Sequence, residues 1–288
     1  MTKPATNSQR LTAKSQKPKA LLIALLLVSA SVQAWNYSST DETTTHSAQI
    51  RVGAEFNKKW HNGLSLGISE ELRFPMYGVV SGANVPQDST IMPSFGKSYT
   101  TLSLGYRPIE YLKFDAGYTL KINGNKDWSD VNKWMKHRVF FSVTGTYKYA
   151  NWSFSLRERF LTEIRMGDID KHTATGLYEK NRADWQLRSK AGVSYHVMSK
   201  PVKPYLWVEL INTLNAPELS GGKQYITSVR TQIGTTWRLT EKNSLDFYYR
   251  FTYGYEKDVN VRAKKQTIEL TNETAYQHAV GITYRFDW

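Results

Sequence analysis

The chain has 288 residues, a net charge of +13 and no cysteine. The lack of cysteine excludes disulfides, zinc–thiolate sites and a lipidated N-terminal cysteine. Its mean hydropathy is −0.51, and no interior stretch approaches the roughly 20 apolar residues that a membrane-spanning helix needs. These properties exclude a membrane protein built from several helices.

The N-terminal segment is predicted to be a secretory signal peptide. A basic stretch precedes the apolar run ALLIALLLVSA (20–30), which is too short to span a membrane, and small residues precede Trp35 at the positions that cleavage requires. We therefore predict a signal peptide over 1–34 and a mature domain over 35–288. An exported protein is not expected to have a nucleic-acid partner. The alternative is a buried helix or an uncleaved anchor.

The mature chain repeats one pattern, a run of about 10–14 residues in which apolar and polar side chains alternate. Alternation with period two is typical of β-strands with one apolar face, and no helical period is convincing. The runs are Ser47–Asn57, Gly63–Phe74, Lys97–Arg107, Leu112–Ile122, Lys136–Tyr149, Trp152–Arg165, Asp184–Met198, Pro204–Leu214, Lys223–Leu239, Ser244–Glu256 and Ala275–Trp288.

The connections between the runs are alternately short and long. Runs of this length exceed the ~5–6 residues of ordinary strands and match the ~9–11 residues of a strand that crosses a bilayer at a tilt. We predict an all-β fold, a transmembrane antiparallel β-barrel with short periplasmic turns and long extracellular loops, in the Gram-negative outer membrane. A soluble β-sandwich or lipocalin-like barrel is the alternative. The short connections are 58–62, 108–111, 149–151, 199–203 and 240–243, and the long ones 75–96, 123–135, 166–183, 215–222 and 257–274.

The eleven clear runs are predicted to be one strand short of a complete barrel. The first run leads into a short turn, so it starts at the long-loop rim, whereas an exported chain arrives from the periplasm. Single-chain bacterial barrels also have even strand numbers. We therefore predict twelve strands, with WNYSS (Trp35–Ser39) as the first. Ten or eleven strands are the alternatives.

Tyrosine and tryptophan gather near the ends of the runs, as expected for the two interfaces of a membrane barrel. We predict one belt near the short turns and a second near the long loops. The first comprises Trp60, Tyr106, Tyr111, Tyr149, Trp152, Tyr205, Trp207, Trp237 and Trp288, and the second Tyr99, Trp128, Trp134, Trp185, Tyr225, Tyr255 and Tyr276.

The polar face of each run is predicted to line the lumen. Basic residues on this face outnumber acidic ones by roughly two to one, which is costly in a dry core but not in a water-filled pore. Arginine suits carboxylates because its planar fork binds both oxygens, so we predict a channel for small acidic solutes such as acidic oligosaccharides. The candidate pore-lining and anion-binding residues are Arg51, Arg73, Arg138, Arg157, Arg159, Arg188, Lys190, Arg230, Arg250 and Arg285.

Two carboxylates fit this scheme poorly, because Glu70 and Glu158 fall on the lipid-facing phase of their strands. A β-bulge near Arg157–Arg159 is the predicted remedy, since it would re-aim the side chains there. No spacing of metal ligands and no cofactor motif is present, and none of either is predicted.

Parts of the chain resemble known families. The start, AWNYSSTDETTTHSAQIRVGAEFNKKWHNGLSLGIS, is similar to the first strands of the oligogalacturonate-specific porins, which are twelve-stranded barrels with an arginine-lined lumen. The segments LSLGISEELRF, LKFDAGYTL, KHRVFFSVTGTYKY, WSFSLRERF, KPYLWVEL and NSLDFYYRF resemble an uncharacterised outer-membrane barrel family, domain of unknown function 2490. The ending YRFDW resembles the terminal signal of the barrel-assembly machinery. Such resemblances imply that machinery, outer-membrane lipid and lipopolysaccharide as partners.

Three other functions stay open at this point. One is adhesion or assembly, in which the mixed-charge loops over 166–183 and 257–274 would contact a partner or lipopolysaccharide phosphates. The lumen could be filled by Arg–Glu ladders, which would make a plugged structural barrel. The outward His137 and His278 could belong to a lipid-modifying hydrolase, but Val139 and Val280 stand where the His-x-Ser pattern of such enzymes has serine. We therefore predict that the protein is not an enzyme.

Overall fold

A computed structural model describes residues 41–82, 96–124, 135–165, 183–214, 226–262 and 267–288. The predicted signal peptide and the candidate strand Trp35–Ser39 lie outside these ranges. No helix within them is long and apolar enough to cross a membrane. The described chain forms eleven β-strands: β1 (Asp41–Lys59), β2 (Leu64–Gly82), β3 (Lys97–Ile109), β4 (Leu112–Asn123), β5 (Met135–Tyr149), β6 (Trp152–Arg165), β7 (Ala183–Tyr195), β8 (Val202–Thr213), β9 (Ser228–Arg238), β10 (Asn243–Arg262) and β11 (Thr267–Asp287).

These strands close into one barrel, which confirms the all-β barrel prediction. Neighbours in sequence pair antiparallel from β1 through to β11, and β1 closes the ring by pairing with β11 in parallel. A path that starts at Lys59 and steps from each residue to its direct partner on the next strand goes once around the ring. It returns to β1 at Thr45 and not at Lys59. The strands are therefore strongly tilted, as closure requires.

The prediction of twelve strands is wrong for this barrel. The pairing of β1 with β11 runs from Asp41↔Thr271 to Asn57↔Asp287, which leaves no place for a strand between them. An odd number of strands obliges two strands that run in the same direction to meet at the closure. As a result, β1 begins at the rim of the long connections and β11 ends at the rim of the short turns.

The five predicted short connections agree with the structure. Short turns join β1 to β2, β3 to β4, β5 to β6, β7 to β8 and β9 to β10. The long connection predicted over 75–96 is wrong in its first part, because β2 continues to Gly82, and those predicted over 123–135, 166–183 and 215–222 lie almost entirely outside the described ranges. The long connection predicted over 257–274 is wrong, because β10 and β11 pair as far as Arg262↔Thr267. The segments VNV (259–261) and IEL (268–270) alternate in polarity, which favours this extension. Strands β10, β11, β1 and β2 are adjacent and longer than the others.

The outer surface of the wall is apolar. On β10, Phe247 and Tyr249 are 40% and 42% exposed, whereas Asp246 and Tyr248 on the opposite face are buried. A soluble monomer rarely exposes a large continuous apolar surface, and here it extends around the ring. Exposed members from other strands include Ile50, Val52, Leu102, Leu104, Val139, Phe141, Ile233 and Val280.

Most of the predicted belt at the short turns is exposed on this outer surface, namely Trp60, Tyr106, Tyr111, Tyr149, Trp152, Trp237 and Trp288. Three assignments are wrong, because Tyr99, Tyr205 and Trp207 share the strand phase of the lumen-facing residues. Trp128, Trp134 and Tyr225 lie outside the described ranges.

Strand β7 shows the spacing between the two ends of the outer surface. Trp185 and Tyr195 share the outward phase of this strand near its two ends. Ten residues at a rise of about 3.3 Å and a tilt of about 40° correspond to about 25 Å along the barrel axis. An apolar band of about 25 Å between aromatic girdles is characteristic of transmembrane barrels.

The closure can be tested by disulfide formation, because the natural chain has no cysteine. The pair Val52→Cys and Ile282→Cys is expected to cross-link, since these residues are direct partners across β1 and β11. The cross-linked chain would show altered mobility on a non-reducing denaturing gel.

The matched pair Val52→Cys and Leu72→Cys joins β1 to β2 and serves as the positive control. A twelfth strand between β1 and β11 would separate their Cα atoms by about 9–10 Å, beyond disulfide reach. Cross-linking in the control alone would therefore contradict the eleven-strand closure.

Candidate functional site: the arginine-rich lumen

All ten candidate residues lie on the lumen face. Arg51 is 2% exposed, while its neighbours Ile50 and Val52 face outward, and the register of each pairing carries the same phase from strand to strand. The predicted bulge at Arg157–Arg159 is wrong, because both pairings of β6 run through this segment without a register shift.

Cations face each other directly across neighbouring strands. Arg157 pairs with Lys190 and Arg159 with Arg188 across β6 and β7. Directly opposite side chains have Cβ atoms about 4.5–5.5 Å apart, and like charges at this distance destabilise a sheet. Two consecutive pairs of this kind break a rule that sequences usually follow, and such violations are expected at functional positions.

A buried glutamate compensates part of this charge. Glu163 is 5% exposed and is surrounded by three cations from β4 and β5. The Nζ atoms of Lys136 and Lys121 lie 3.1 and 3.8 Å from its Oε1, and the Nε of Arg138 donates a hydrogen bond to its Oε2. The carboxylate therefore holds these side chains in fixed positions against the wall.

Two other glutamates, Glu209 and Glu71, have the same role. Each binds two guanidinium groups from different positions in the wall. The nitrogen–oxygen distances are 2.8 and 3.4 Å from Arg157 and Arg230 to Glu209, and 2.6 and 3.7 Å from Arg73 and Arg51 to Glu71. Because each carboxylate serves more than one cation, the lumen keeps an excess of positive charge.

Three of the nine candidate arginines form no ion pair with a carboxylate in the part of the chain that the structure describes. Arg188 donates to the Oε1 of Gln186 from Nε and Nη2, at 3.2 and 2.8 Å. Arg250 donates from Nε to the Oε1 of Gln232 at 2.7 Å. The Nε of Arg159 is buried without a hydrogen-bond partner. These guanidinium groups keep donors available for an anion.

Aromatic rings stand beside several of the cations. The guanidinium carbon of Arg159 lies 4.1 Å from the ring centre of Phe140, and that of Arg73 lies 3.9 Å from the ring of Tyr99. The Nζ of Lys190 lies 3.8 Å from the ring of Trp207. Cation–π contacts of this kind orient a charge without neutralising it.

The centre of the lumen holds a cavity of about 230 Å³. Four arginines line it together with three glutamates (Glu55, Glu70 and Glu71), several serine and threonine residues, and apolar and aromatic residues. At this level the buried Phe140 and Leu161 occupy part of the cross-section. The lumen is therefore polar but narrow. The four arginines and two apolar residues of the lining on which the binding argument rests are Arg73, Arg138, Arg159, Arg188, Phe140 and Leu161.

The two outward carboxylates are held by hydroxyl groups on the neighbouring strand. Ser98 and Thr100 donate to the two oxygens of Glu70, the second at 2.5 Å, and Ser189 donates to the Oε2 of Glu158 at 2.6 Å. Local hydrogen bonds, and not a bulge, therefore satisfy both oxygens of Glu70 and one oxygen of Glu158, whose Oε1 is buried without a partner.

The outward histidines each contact a tyrosine. The Nδ1 of His137 lies 2.5 Å from the hydroxyl oxygen of Tyr118, and the Nδ1 of His278 lies 2.6 Å from that of Tyr249. Within the described ranges, no group of histidine and carboxylate side chains is arranged to hold a metal ion.

Comparison with known proteins identifies the family. A family model described as "Protein of unknown function (DUF2490)" matches residues 32–262. The chain belongs to the DUF2490 family. The match covers β1 to β10 and ends before β11. No curated protein and no solved structure matches the chain. The predicted resemblance to this family is thus confirmed, whereas the resemblance to oligogalacturonate-specific porins stays a prediction.

Several lumen residues of this DUF2490 barrel were absent from the sequence-based set. Lys136 contributes to the Glu163 cluster and has the same strand phase as Arg138, so the phase alone could have revealed it. Trp207 has the phase of Glu209 but was assigned to an aromatic belt by its residue type. Gln232 orients Arg250, and no charge pattern points to it.

The buried glutamates are expected to matter more for stability than those at the edge of the network. Glu209→Gln leaves Arg157 and Arg230 without their carboxylate, and we expect a loss of about 3 kcal/mol in the free energy of unfolding. Glu55→Gln breaks one pair, with Arg285, at a more exposed position, and should cost under about 1 kcal/mol. Urea unfolding of the barrel in lipid vesicles measures both; equal losses would contradict this ranking.

The hydrogen bonds from Ser98 and Thr100 to Glu70 can be tested by loss and recovery of stability. The double variant Ser98→Ala, Thr100→Val removes both donors and should destabilise the barrel by about 2 kcal/mol, because the carboxyl group loses its partners on an apolar surface. Adding Glu70→Leu removes the unsatisfied group, and the same unfolding measurement should then return close to the natural stability. Failure of this rescue would show that the hydroxyls act independently of Glu70.

Proposed function

We propose that this DUF2490 barrel lies in the Gram-negative outer membrane and conducts small anions. Its apolar outer surface, the aromatic residues at both ends of that surface and their spacing of about 25 Å support a position in a bilayer. The closed ring also suits lipid, since a sheet with a free edge would leave backbone groups without partners there.

The observation that carries the proposal is that three candidate arginines of the lumen, Arg159, Arg188 and Arg250, have no carboxylate partner among the described residues. Burying a cation without a countercharge is costly unless water or a mobile anion can reach it. A narrow passage lined by such groups concentrates anions and slows cations.

The narrow centre limits the size of the solute. Buried Phe140 and Leu161 reduce the cross-section at the level of the cavity. A single small acid or an extended acidic oligosaccharide could pass along this path, whereas a bulky folded solute could not. The proposed solutes are therefore small carboxylates and chains of acidic sugars, in line with the porin resemblance.

The proposed orientation places the short turns in the periplasm and the long connections outside the cell. The signal peptide over 1–34 would direct export, and the terminal YRFDW would be read by the barrel-assembly machinery. Outer-membrane lipid and lipopolysaccharide would surround the wall.

Two of the alternative functions predict different measurements. A lipid-modifying hydrolase needs a nucleophile beside His137 or His278, and the contact found for each is a tyrosine hydroxyl. Hydrolytic activity of the purified barrel on phospholipid vesicles would support the hydrolase function. A folded barrel without ion conductance would indicate the plugged structural form.

Planar-bilayer recording tests the channel. We expect an anion-selective current, and Arg188→Glu with Arg250→Glu should lower the anion-to-cation permeability ratio several-fold, because both side chains face the lumen without a carboxylate partner in the described chain. Lys148→Glu reverses a charge that pairs with Glu110 on the exposed short-turn rim and should change the ratio much less. Equal effects of the two changes, or unchanged selectivity in the double variant, would contradict the assigned path.

A further inference from the structure

We infer that the central cavity is an equilibrium binding site for one small organic dianion, held by Arg159 and Arg188. This deepens the proposed function, since it names the ligand class and two residues that bind it. The inference concerns binding at a defined place, whereas the channel proposal concerns movement through the whole lumen.

The charge around the cavity favours a dianion. Of the four arginines in its wall, Arg73 is bound to Glu71 and Arg138 to Glu163. The other two glutamates of the lining do not supply a counterion, because Glu55 is bound to Arg285 and Glu70 has the outward phase of its strand, where Ser98 and Thr100 hold it. Arg159 and Arg188 have no such partner among the described residues, and Glu209 nearby is engaged by Arg157 and Arg230. Two positive charges at the cavity therefore lack a fixed counterion, and two negative charges would balance them.

The positions of these two arginines suit one ligand. Arg159 and Arg188 are direct partners across β6 and β7, so their side chains leave the wall side by side. The ring of Phe140 lies against the guanidinium of Arg159, and Gln186 accepts hydrogen bonds from Arg188. These contacts fix both groups before binding, which lowers the ordering cost of recognition.

The size and lining of the cavity favour a small carboxylic acid. About 230 Å³ is below the roughly 300–1,000 Å³ of sites for drug-sized ligands, so one sugar or short-chain acid fits and an oligosaccharide would place only one unit there. Phe140 and Leu161 supply an apolar surface that would pack against a carbon skeleton. Inorganic phosphate has charge but no such skeleton, and it would leave this surface without a partner.

The binding step uses ordinary charge-assisted hydrogen bonds. Each carboxylate can accept two parallel N–H donors from one guanidinium fork. A monocarboxylate of the same length would engage only one arginine and leave the other uncompensated. Recognition should therefore depend on the second carboxylate far more than on chain length.

Calorimetric titration of the full barrel folded in detergent tests this inference. The probes are succinate, butyrate, galacturonate and inorganic phosphate. We expect succinate to bind at least about tenfold more tightly than butyrate or phosphate, the ratio expected for one added charge-assisted contact. Galacturonate, with one carboxylate, should resemble butyrate. Equal affinities for succinate and butyrate, or tighter binding of phosphate, would overturn the assignment.

Variants locate the site. Arg159→Gln with Arg188→Gln should weaken succinate binding by about tenfold or more, and Arg188→Lys, which keeps the charge but loses the fork, should weaken it less. Lys148→Gln removes one positive charge at the short-turn rim and should change the affinity by less than about twofold. Succinate affinity that is the same in the double variant and in the natural protein overturns the inference.

Binding and current measurements together separate the binding site from the channel proposal. The heat-dependent gel mobility of each variant shows whether it folds, and Arg159→Lys with Arg188→Lys replaces the double glutamine variant if that one does not. An anion-selective current without succinate binding would overturn the site and leave the channel standing. Succinate binding without any current would overturn the channel and leave the site standing.

Discussion

The parallel pairing of β1 with β11 is the contact on which the rest of this barrel depends. Without it, two long strands would present unpaired N–H and C=O groups along their whole length, and the sheet would have edges. The pairing also fixes the register at the closure, from Asp41↔Thr271 to Asn57↔Asp287. A shift of one residue would turn Arg51 outward and Ile50 into the lumen, because side chains alternate with period two. The register therefore decides the chemistry of the lumen.

Within that register, the lumen combines fixed and free cations. Glu163, Glu209 and Glu71 each bind two or three basic side chains and hold them against the wall. If every cation were bound in this way, the network would resemble the Arg–Glu ladders of a closed structural core. If none were, repulsion among the arginines would oppose folding. The observed mixture gives a rigid wall that still exposes uncompensated charge.

Periodicity in the sequence was enough to predict which face of each strand is apolar. In Ser244–Glu256 it places Phe247 and Tyr249 outward and Arg250 inward, as found. Residue type misled where it was given more weight than phase. Their residue type assigns Tyr205 and Trp207 to an aromatic belt, although they share the phase of Glu209 on the same strand, and the polar face is the one predicted to line the lumen. Position near a strand end does not determine the face on which a side chain lies.

Strand number and side-chain partners could not be read from periodicity, because both depend on contacts between distant segments. The choice between eleven and twelve strands depends on whether β1 pairs directly with β11. The sequences of these two strands would show the same alternation in either case. The hydroxyl groups that hold Glu70 come from Ser98 and Thr100 on the next strand. Serine and threonine carry no distinctive pattern, so a bulge was the simpler local explanation for an outward carboxylate.

The pair Arg159 and Arg188 has a charged cluster on each side. Farther along β6 toward the long connections, Glu163 gathers Lys121, Lys136 and Arg138. Toward the short turns, the next pair, Arg157 and Lys190, lies beside Glu209, which is the cross-strand partner of Lys190. The two glutamates bring negative potential to this part of the wall, but their oxygens are occupied by other cations. Arg159 and Arg188 thus lie between two clusters whose glutamates are each engaged by more than one other cation, so the charge of this pair stays uncompensated and available to a ligand.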